Sequence, residues 1–331
     1  WYGHAPMGYQ KFAETLHAGL LGEPGAAHSL EALVADVEQP AIARASALAM
    51  LSPDVERVVL KSMRAAVADK SPLIRRAAAR AMSDAEPRAR AEIVAPLLAD
   101  PVRDVRVEAA EALAGVPPDL LPPGAASKLS AATNEYVAVQ QLNSDRPEAH
   151  LNLALLYAKE KRFAEAEAEL KVALSLDPSF GPAAVNLADL YRVVGRDADG
   201  ERVLRDAISH SPADASLEHS LGLALVRGGH ASDALPHLAS AARLDPASAR
   251  FGYVNAVALS DAGHTNDAIS ELERVLKVHP YDRNSLGLIA NLYEGVGNPA
   301  QALAYAGRLA ELEPDDPQVS QLMRRLRAEA R

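Results

Sequence analysis

The chain has 331 residues, of which 49% are hydrophobic and 4% aromatic, and its 34 basic and 44 acidic side chains give a net charge of −10. The absence of cysteine excludes disulfides, thiolate metal sites and covalently attached c-type haem from this chain. The acidic balance argues against nucleic acid or anionic lipid as partners, and no window approaches the roughly 18 apolar residues of a membrane helix. We therefore expect no nucleic acid partner and no membrane span, and favour proteins, peptides or glycans.

Residues 1–24 begin with an aromatic segment that holds four of the 14 aromatic residues of the chain: Trp1, Tyr2, Tyr9 and Phe12. Helical spacing joins two of these aromatics to two leucines in one stripe: Tyr9, Phe12, Leu16 and Leu20. This stripe predicts a capping helix, and the aromatics could also dock on another molecule. The chain starts with Trp1 rather than Met and shows no signal-peptide pattern, so we expect a processed product or a fragment.

Residues 25–118 contain three related segments: QPAIARASALAM from Gln39, DKSPLIRRAAARAM from Asp69 and DPVRDVRVEAAEALAGV from Asp100. Each segment predicts a helix, and a predicted partner helix precedes each one, at 29–37, 55–68 and 88–99. The segments resemble HEAT repeats, and this resemblance implies a ladder in which Asp69 and Asp100 link neighbouring repeats with Arg75 and Arg106. In the first segment Ala43 aligns with Arg75, which predicts that the ladder fails there.

Residues 119–146 are predicted to be a junction. Four prolines in VPPDLLPPG, from Val116 to Gly124, cannot continue a helix. A helix is predicted after them, from about Ala125 to Leu142, and we expect it to cover the first repeat of the next region.

Residues 147–316 are predicted to hold five repeats, because five prolines recur at one fixed spacing: Pro178, Pro212, Pro246, Pro280 and Pro314. Apolar or small residues keep the same register, and glycines recur in the predicted turns: Gly195, Gly229, Gly263 and Gly297. The pattern resembles the tetratricopeptide repeat. Lys161 takes the glycine position in the first repeat, so its turn is predicted to be the least regular. Residues 317–331 predict a capping helix with one apolar stripe: Val319, Leu322, Met323 and Leu326.

The tetratricopeptide resemblance places positions 2, 5, 6, 9, 12 and 13 of each repeat in a groove formed by the first helices. Ten candidate ligand-binding residues lie there: Asn152, Lys159, Asn186, Arg192, Ser220, Arg227, Tyr253, Asp261, Asn291 and Glu294. The amides suit a peptide backbone or a sugar chain, and the cations of the first three repeats could hold a carboxylate or another anion. The last two repeats are more acidic, which predicts a polarity change along the groove. The alternative is that these residues are solvated and bind nothing, with Tyr253 partly buried between helices.

Catalysis and metal binding find no support in the sequence. None of the ten histidines has metal-ligand spacing, and there is no GxSxG sequence, no glycine-rich phosphate loop and no carboxylate pair in a plausible cleft. We therefore predict that the chain is not an enzyme and holds no cofactor.

Three segments together resemble the C-terminal part of bacterial multihaem c-type cytochromes that carry HEAT and tetratricopeptide repeats: WYGHAPMGYQKFAETLHAGL, QPAIARASALAM and EYVAVQQLNSDRPEAHLNLALLYA. In that family a half with CxxCH haem sites precedes such a segment. This chain has no CxxCH, so haem would have to come from a missing N-terminal half or a haem-bearing partner. The resemblance also implies export, and the expected location is the periplasm or the cell exterior.

We therefore predict an all-α, right-handed α-solenoid in which HEAT-like repeats are followed by tetratricopeptide repeats. The predicted function is that of a non-catalytic extracytoplasmic scaffold that binds an extended protein, peptide or glycan and self-associates through its aromatic N-terminus. The alternative is the accessory repeat half of a multihaem cytochrome, which docks an electron-transfer partner.

Overall fold

The computed structural model describes residues 11–51 and 57–329, and the regular elements of these residues are 19 α-helices and two short 3-10 helices, with no strand. The predicted all-α class is confirmed. The predicted docking residues Trp1, Tyr2 and Tyr9 lie outside the described residues. None of the described helices is both long enough and apolar enough to cross a membrane.

The chain divides into two compact units, and helix α9 contributes residues to both. The first unit comprises the residues up to Ser144 together with Leu155–Arg162, and the second comprises Asp145–Ala154 and the residues from Phe163 onward. The first unit contains eight complete α-helices: α1 Lys11–Leu21, α2 Ala26–Ala35, α3 Ala41–Met50, α4 Arg57–Ala66, α5 Pro72–Ala81, α6 Pro87–Val94, α7 Arg103–Leu113 and α8 Ala125–Gln141.

The helices of the first unit follow the predicted pairs closely. A 3-10 helix, Ala95–Ala99, continues α6 where Pro96 lacks the amide that an α-helical turn would use. The proline-rich junction forms only a short 3-10 helix, Pro118–Leu120, before α8 begins. Buried alanines and branched residues of the helix pairs form one core in this unit.

A row of three arginines links successive helix pairs of the first unit. Arg44, Arg75 and Arg106 are equally spaced along the sequence. The Arg75 guanidinium donates to both carboxylate oxygens of Asp100, at 2.6 and 2.9 Å, and Arg44 donates to Asp69 at 2.7 Å. These guanidinium–carboxylate contacts tie each pair to the next through charge-assisted hydrogen bonds.

The third arginine of the row uses a glutamate from the junction helix. Arg106 donates to both carboxylate oxygens of Glu135 on α8 at 2.9 Å. Its Nη1 also donates to the carbonyl of Asp100 at 2.8 Å. The row therefore extends from the helix pairs onto α8.

The predicted failure of this ladder at the first segment is wrong, because the register of that segment is shifted by one residue from the predicted alignment. Arg44 supplies the guanidinium that was expected at Ala43 and also donates to the carbonyl of Val34 at 2.9 Å. Ala43 is 2% exposed and faces the core, whereas Ile42, which the predicted alignment places at a core position, is 63% exposed. The equal spacing of the three arginines indicates the correct register.

Helix α1 packs on the core of the first unit through Phe12 and Leu16, which agrees with the capping role predicted for this stripe. The prediction that Leu20 continues the stripe is wrong, since its side chain is 74% exposed. The contact face instead passes through Gly19, where an added Cβ would lie 2.9 Å from Leu30 Cδ1. The helix therefore makes a close contact at a residue without a side chain, and the Leu20 side chain faces away from it.

We predict that Asp100→Asn destabilises the first unit by roughly 3 kcal/mol, because it breaks a largely buried ion pair and leaves the Arg75 charge without its partner. The hydrogen bond from Arg75 lowers the pKa of the Asp100 carboxyl. The carboxylate therefore contributes stability above the pKa of the unfolded chain, and this contribution is lost as the pH falls through the folded pKa. Urea unfolding at neutral and at acidic pH measures both effects.

The matched control is Glu92→Gln, which removes an exposed ion pair with Arg64 in the same unit. It should cost less than about 1 kcal/mol. Equal losses for the two variants would show that the Arg75–Asp100 contact has no special weight.

From Pro147 onward the chain repeats one helical hairpin at the spacing of the prolines. The first helices of the pairs are α9 Pro147–Lys159, α11 Gly181–Val193, α13 Ala215–Arg227, α15 Ala249–Asp261 and α17 Arg283–Gly295. The second helices are α10 Phe163–Leu176, α12 Asp197–His210, α14 Ala231–Leu244, α16 Thr265–Val278 and α18 Pro299–Leu312. The last helix, α19 Pro317–Glu329, buries Val319 and Leu326 and packs Leu322 and Met323 beside them, as predicted for a cap.

Small residues lie where the two helices of each pair cross. The residues at the same position of each second helix are all small and buried: Ala166, Gly200, Ala234, Ala268 and Ala302. At Gly200 an added Cβ would lie 3.1 Å from the carbonyl oxygen of Ala188 on the facing helix. The close crossing therefore sets an upper limit on side-chain size at this position.

The turn between the paired helices has the same left-handed backbone in all five repeats. Four of the turns use glycine at positive φ: Gly195, Gly229, Gly263 and Gly297. Lys161 adopts φ 61° in the first repeat, and the next amide, of Arg162, donates to Tyr157 O at 2.9 Å. Arg196 N makes the equivalent bond to Tyr191 O at 2.7 Å in the second repeat. The prediction that the Lys161 turn is the least regular is therefore wrong, because lysine takes the glycine conformation.

We predict that Lys161→Gly stabilises the protein by about 0.5–1 kcal/mol, because a residue with a Cβ is strained at positive φ and glycine is not. Thermal unfolding measures the change. Lys161→Ala is the control, since it removes the same charge and long side chain but keeps the Cβ. A gain in stability for alanine equal to that for glycine would contradict the backbone explanation.

Candidate functional site

The second unit has a cavity of about 380 Å³ between the first helices α11, α13 and α15. Residues of repeats two to four line it: Val185, Ala188, Asp189, Leu204, Ser216, His219, Ser220, Leu223, Arg227, Ser248, Arg250 and Phe251. Most of these occupy groove positions 2, 5, 6, 9 and 13 of their repeats. We call this cavity the α13 pocket, because α13 contributes the most residues to it.

Helix α13 presents its pocket residues on one face. Ser216, His219, Ser220, Leu223 and Arg227 follow helical spacing, so their side chains share a stripe. The start of the helix is fixed by Asp214, whose Oδ1 accepts from the amide of Ser216 at 2.8 Å and from that of Leu217 at 3.2 Å. Side-chain capping of this kind holds the first turn, and with it Ser216, in place.

His219 is the most buried polar residue of the pocket, with 4% of its surface exposed. Its ring lies against that of Phe251, with the centroids 4.6 Å apart. Neither ring nitrogen has a hydrogen-bond partner among the described residues. Burial first, and then the positive charge of Arg250, lower the pKa of His219 to about 4. The imidazole is therefore neutral at pH 7 and offers one N–H donor and one acceptor nitrogen.

Two arginines give the pocket its positive charge. Arg227 and Arg250 are exposed, and no described carboxylate lies within ion-pair distance of either. The acidic lining residue, Asp189, is 3.4 Å from Arg192 Nε on the same helix. The pocket thus combines hydroxyls, a neutral imidazole and two available guanidinium groups with apolar walls, which is the composition of a polar ligand site.

Only Ser220 and Arg227 of the ten predicted groove residues line the α13 pocket. Three of the others make contacts within their own helix or with a neighbouring one. Asn186 Nδ2 donates to Pro182 O at 2.8 Å, Arg192 pairs with Asp189, and Lys159 Nζ is 3.9 Å from Glu111. These contacts reduce the capacity of the three side chains to hold a ligand.

At the acidic end of the predicted groove, Glu294 binds the cap helix α19. Both carboxylate oxygens of Glu294 accept from Arg325 on α19, at 2.6 and 2.7 Å, and this contact lowers the pKa of Glu294. Tyr253 is half-buried against the core of the last repeats, while Asp261 and Asn291 are exposed and Asn152 is half-buried. The structure therefore does not bring these residues together in one site.

Sequence reasoning missed the residues that build most of the pocket. His219, Arg250 and Asp189 occupy groove positions 5, 2 and 9, so the same positional rule could have selected them. Phe251 is at position 3, where the first two repeats have Ala149 and Ala183, and no pattern marked it. An amide that recurs between repeats is a stronger sequence signal than a single histidine, which has no counterpart at position 5 of the other repeats.

Metal ligation has no arrangement to support it in the part of the chain that the structure describes. No three histidine, aspartate or glutamate side chains there come together as a metal site. The polar groups of the α13 pocket are mainly hydrogen-bond donors and cations, which suit an acceptor-rich ligand better than a metal ion.

Comparison with protein families identifies tetratricopeptide repeats in two stretches of the chain. Residues 147–180 and 259–326 match family models of the tetratricopeptide repeat. The chain therefore contains tetratricopeptide repeats, as predicted. No curated relative matches the sequence.

Solved structures of similar proteins include MamA and YrrB. The sequence of MamA, for which a crystal structure is known, is 21% identical to this chain. The match covers 51% of this chain and 92% of the MamA chain, with a TM-score of 0.44. YrrB, described as a tetratricopeptide protein with an unusual peptide-binding site, is 21% identical, with 56% of this chain and 95% of that chain covered and a TM-score of 0.44.

We predict that His219→Leu stabilises the protein by about 1–3 kcal/mol at pH 7, because it removes a buried polar group that has no partner among the described residues. Leucine also occupies this position, as Leu151, in the first repeat. In the natural protein His219 is neutral in both the folded and the unfolded state above about pH 6.5, so it adds no pH dependence there. As the pH falls from 6.5 toward 4, the unfolded state binds the proton more tightly, and this destabilises the folded protein by at most about 3 kcal/mol.

Urea unfolding of both proteins between pH 7.5 and pH 4 measures the two effects. The leucine variant should be the more stable at neutral pH and should lack the part of the acid destabilisation that His219 causes. A leucine variant less stable than the natural protein at pH 7 would show that the imidazole is satisfied, for example by bound water.

Proposed function

We propose that this protein is a non-catalytic interaction scaffold that binds an extended segment of a partner protein or peptide along the first helices of its tetratricopeptide repeats. The observation that carries the proposal is the α13 pocket, because groove positions of three successive repeats meet there around a buried histidine that no described residue satisfies. Such a pocket can anchor one side chain of a segment that continues along the neighbouring repeats.

The helices that form the pocket are fixed by side-chain caps at their first turns and by packing in the core. Ser248 Oγ accepts from the amide of Phe251 at 3.3 Å at the start of α15, as Asp214 does at the start of α13. Leu217 and Leu221 of α13 are buried in the core of the repeats. Because the receptor is ordered before the partner arrives, little conformational entropy is lost on its side when the partner binds.

The location and the wider partners are part of the same proposal and rest on the sequence alone. We propose that the scaffold works in the periplasm or outside the cell, on the basis of the cytochrome resemblance in its three segments. Self-association, a glycan ligand and a haem-bearing partner are consistent with that setting. Native mass measurement together with an absorption spectrum would test for the haem partner.

Ser220→Trp tests the binding function directly. Ser220 lies in the middle of the five pocket-lining residues on α13. An indole at this position would fill the pocket, so a partner segment could no longer enter. We expect a displayed library of random peptides to yield ligands for the natural protein, and we expect these ligands to lose at least about tenfold in affinity for the variant. Fluorescence anisotropy with the selected peptides measures the affinity.

Ser209→Trp is the matched control, because it introduces the same indole on the exposed surface of α12. It should leave the affinity unchanged, and circular dichroism should show both variants folded. Selected peptides that bind both variants as well as the natural protein would overturn the proposal for this groove.

A further inference from the structure

The α13 pocket contains more hydrogen-bond donors than the protein itself uses. Ser216 and Ser220 have hydroxyl groups one helical turn apart, Arg227 and Arg250 have guanidinium groups without a described carboxylate partner, and His219 has a ring nitrogen that can donate. Five donor groups from two neighbouring repeats therefore surround one cavity. This density of donors calls for a ligand with several acceptor oxygens.

The charge of the pocket calls for an anion. The carboxylate of Asp189 lies beside Arg192, so the charges of Arg227 and Arg250 are not offset within ion-pair distance by a described acidic residue. Arg250 is near enough to His219 for its charge to act on the imidazole. An anionic group seated at Arg250 would lie beside His219 and could accept a hydrogen bond from its ring.

A phosphate monoester fits these donors better than a carboxylate does. A carboxylate has two oxygens, whereas a phosphate monoester has three terminal oxygens and a charge of about −1.5 to −2 at pH 7. Arg250, Ser216, Ser220 and the imidazole of His219 can donate to these three oxygens, while Arg227, seven residues beyond Ser220 on α13, adds positive charge farther along the pocket. The apolar walls from Leu204, Leu223 and Phe251 suit the short aliphatic stem that carries such a group.

We infer that the α13 pocket binds a phosphorylated serine or threonine side chain in the extended partner segment, with Arg250 on the phosphate, His219 donating from the pocket interior and Arg227 adding positive charge farther along α13. This inference rests on the proposed function and adds the chemical class that the pocket selects. His219 is thereby assigned a role in binding, since the imidazole gains from the ligand the hydrogen bond that the described residues do not provide.

The test uses the whole chain at pH 7.5 and three small probes: N-acetyl-O-phosphoserine methylamide, N-acetylglutamate methylamide and N-acetylserine methylamide. Of the three probes, we expect only the phosphoserine probe to bind saturably, at millimolar concentration. NMR of the histidine rings measures this binding, and the His219→Leu variant identifies the His219 signals. Arg250→Gln should weaken this binding at least about tenfold, and Arg227→Gln should weaken it by a smaller factor, because its charge acts from farther away. Arg243→Gln on α14, which has the same charge change outside the pocket, should not.

Three results would overturn the inference: no saturable binding of the phosphoserine probe, glutamate binding as tight as phosphoserine, or equal weakening by Arg243→Gln and the pocket variants. Inorganic phosphate added as a competitor should displace the probe, and failure to do so would also count against a phosphate site. Library peptides that still depend on Ser220 in the absence of phosphoserine binding would leave the proposed scaffold function standing, so the two failures are distinguishable.

Discussion

The close crossing of the two helices in each hairpin is the constraint on which the second unit depends. A small residue at each crossing lets the backbones approach, as at Gly200, where even one carbon would press on the opposite carbonyl. The left-handed turn that precedes it must then reverse the chain in a few residues. Because both conditions recur in every repeat, each first helix has the same orientation in its repeat, and residues far apart in sequence come to line one pocket.

In the first unit a different interaction keeps successive helix pairs in a regular arrangement. Its helix pairs are joined by equally spaced arginines, each donating to an acidic side chain of the following pair or of α8. Guanidinium–carboxylate contacts have a defined direction, so they fix the angle between pairs that alanine-rich helix surfaces leave weakly specified. Packing between small residues therefore orders the second unit, and directed hydrogen bonds add to packing in the first.

Periodic features of the fold were predictable from the sequence because they repeat. The five hairpins, the cap helix and the proline-rich junction all follow from spacing and from the chemistry of proline and glycine. The errors concern single residues whose alignment or side-chain direction the pattern did not determine. Ala43 was aligned with an arginine position that belongs to Arg44, Leu20 was counted into a contact that ends at Gly19, and Lys161 was expected to disturb a turn that it adopts.

The candidate site was less predictable because a pocket depends on differences between repeats. The repeat pattern predicted the correct face of the helices and two lining residues, Ser220 and Arg227. It could not show that Asn186 and Arg192 bond within their own helix, or that Glu294 holds α19. Single-residue departures such as His219 and Phe251 carry no periodic signal, and only the side-chain geometry shows that they meet.

The buried histidine also affects how the array responds to stress. In a stack of repeats each hairpin is held mainly by its two neighbours, so a defect at one boundary is not shared by the rest. The contact between His219 on α13 and Phe251 on α15 lies at such a boundary and includes two ring nitrogens that no described residue satisfies. The unsatisfied imidazole therefore lowers the stability of the contact between the third and fourth hairpins when the pocket is empty. A ligand that satisfies His219 would remove this penalty and strengthen the coupling between neighbouring hairpins.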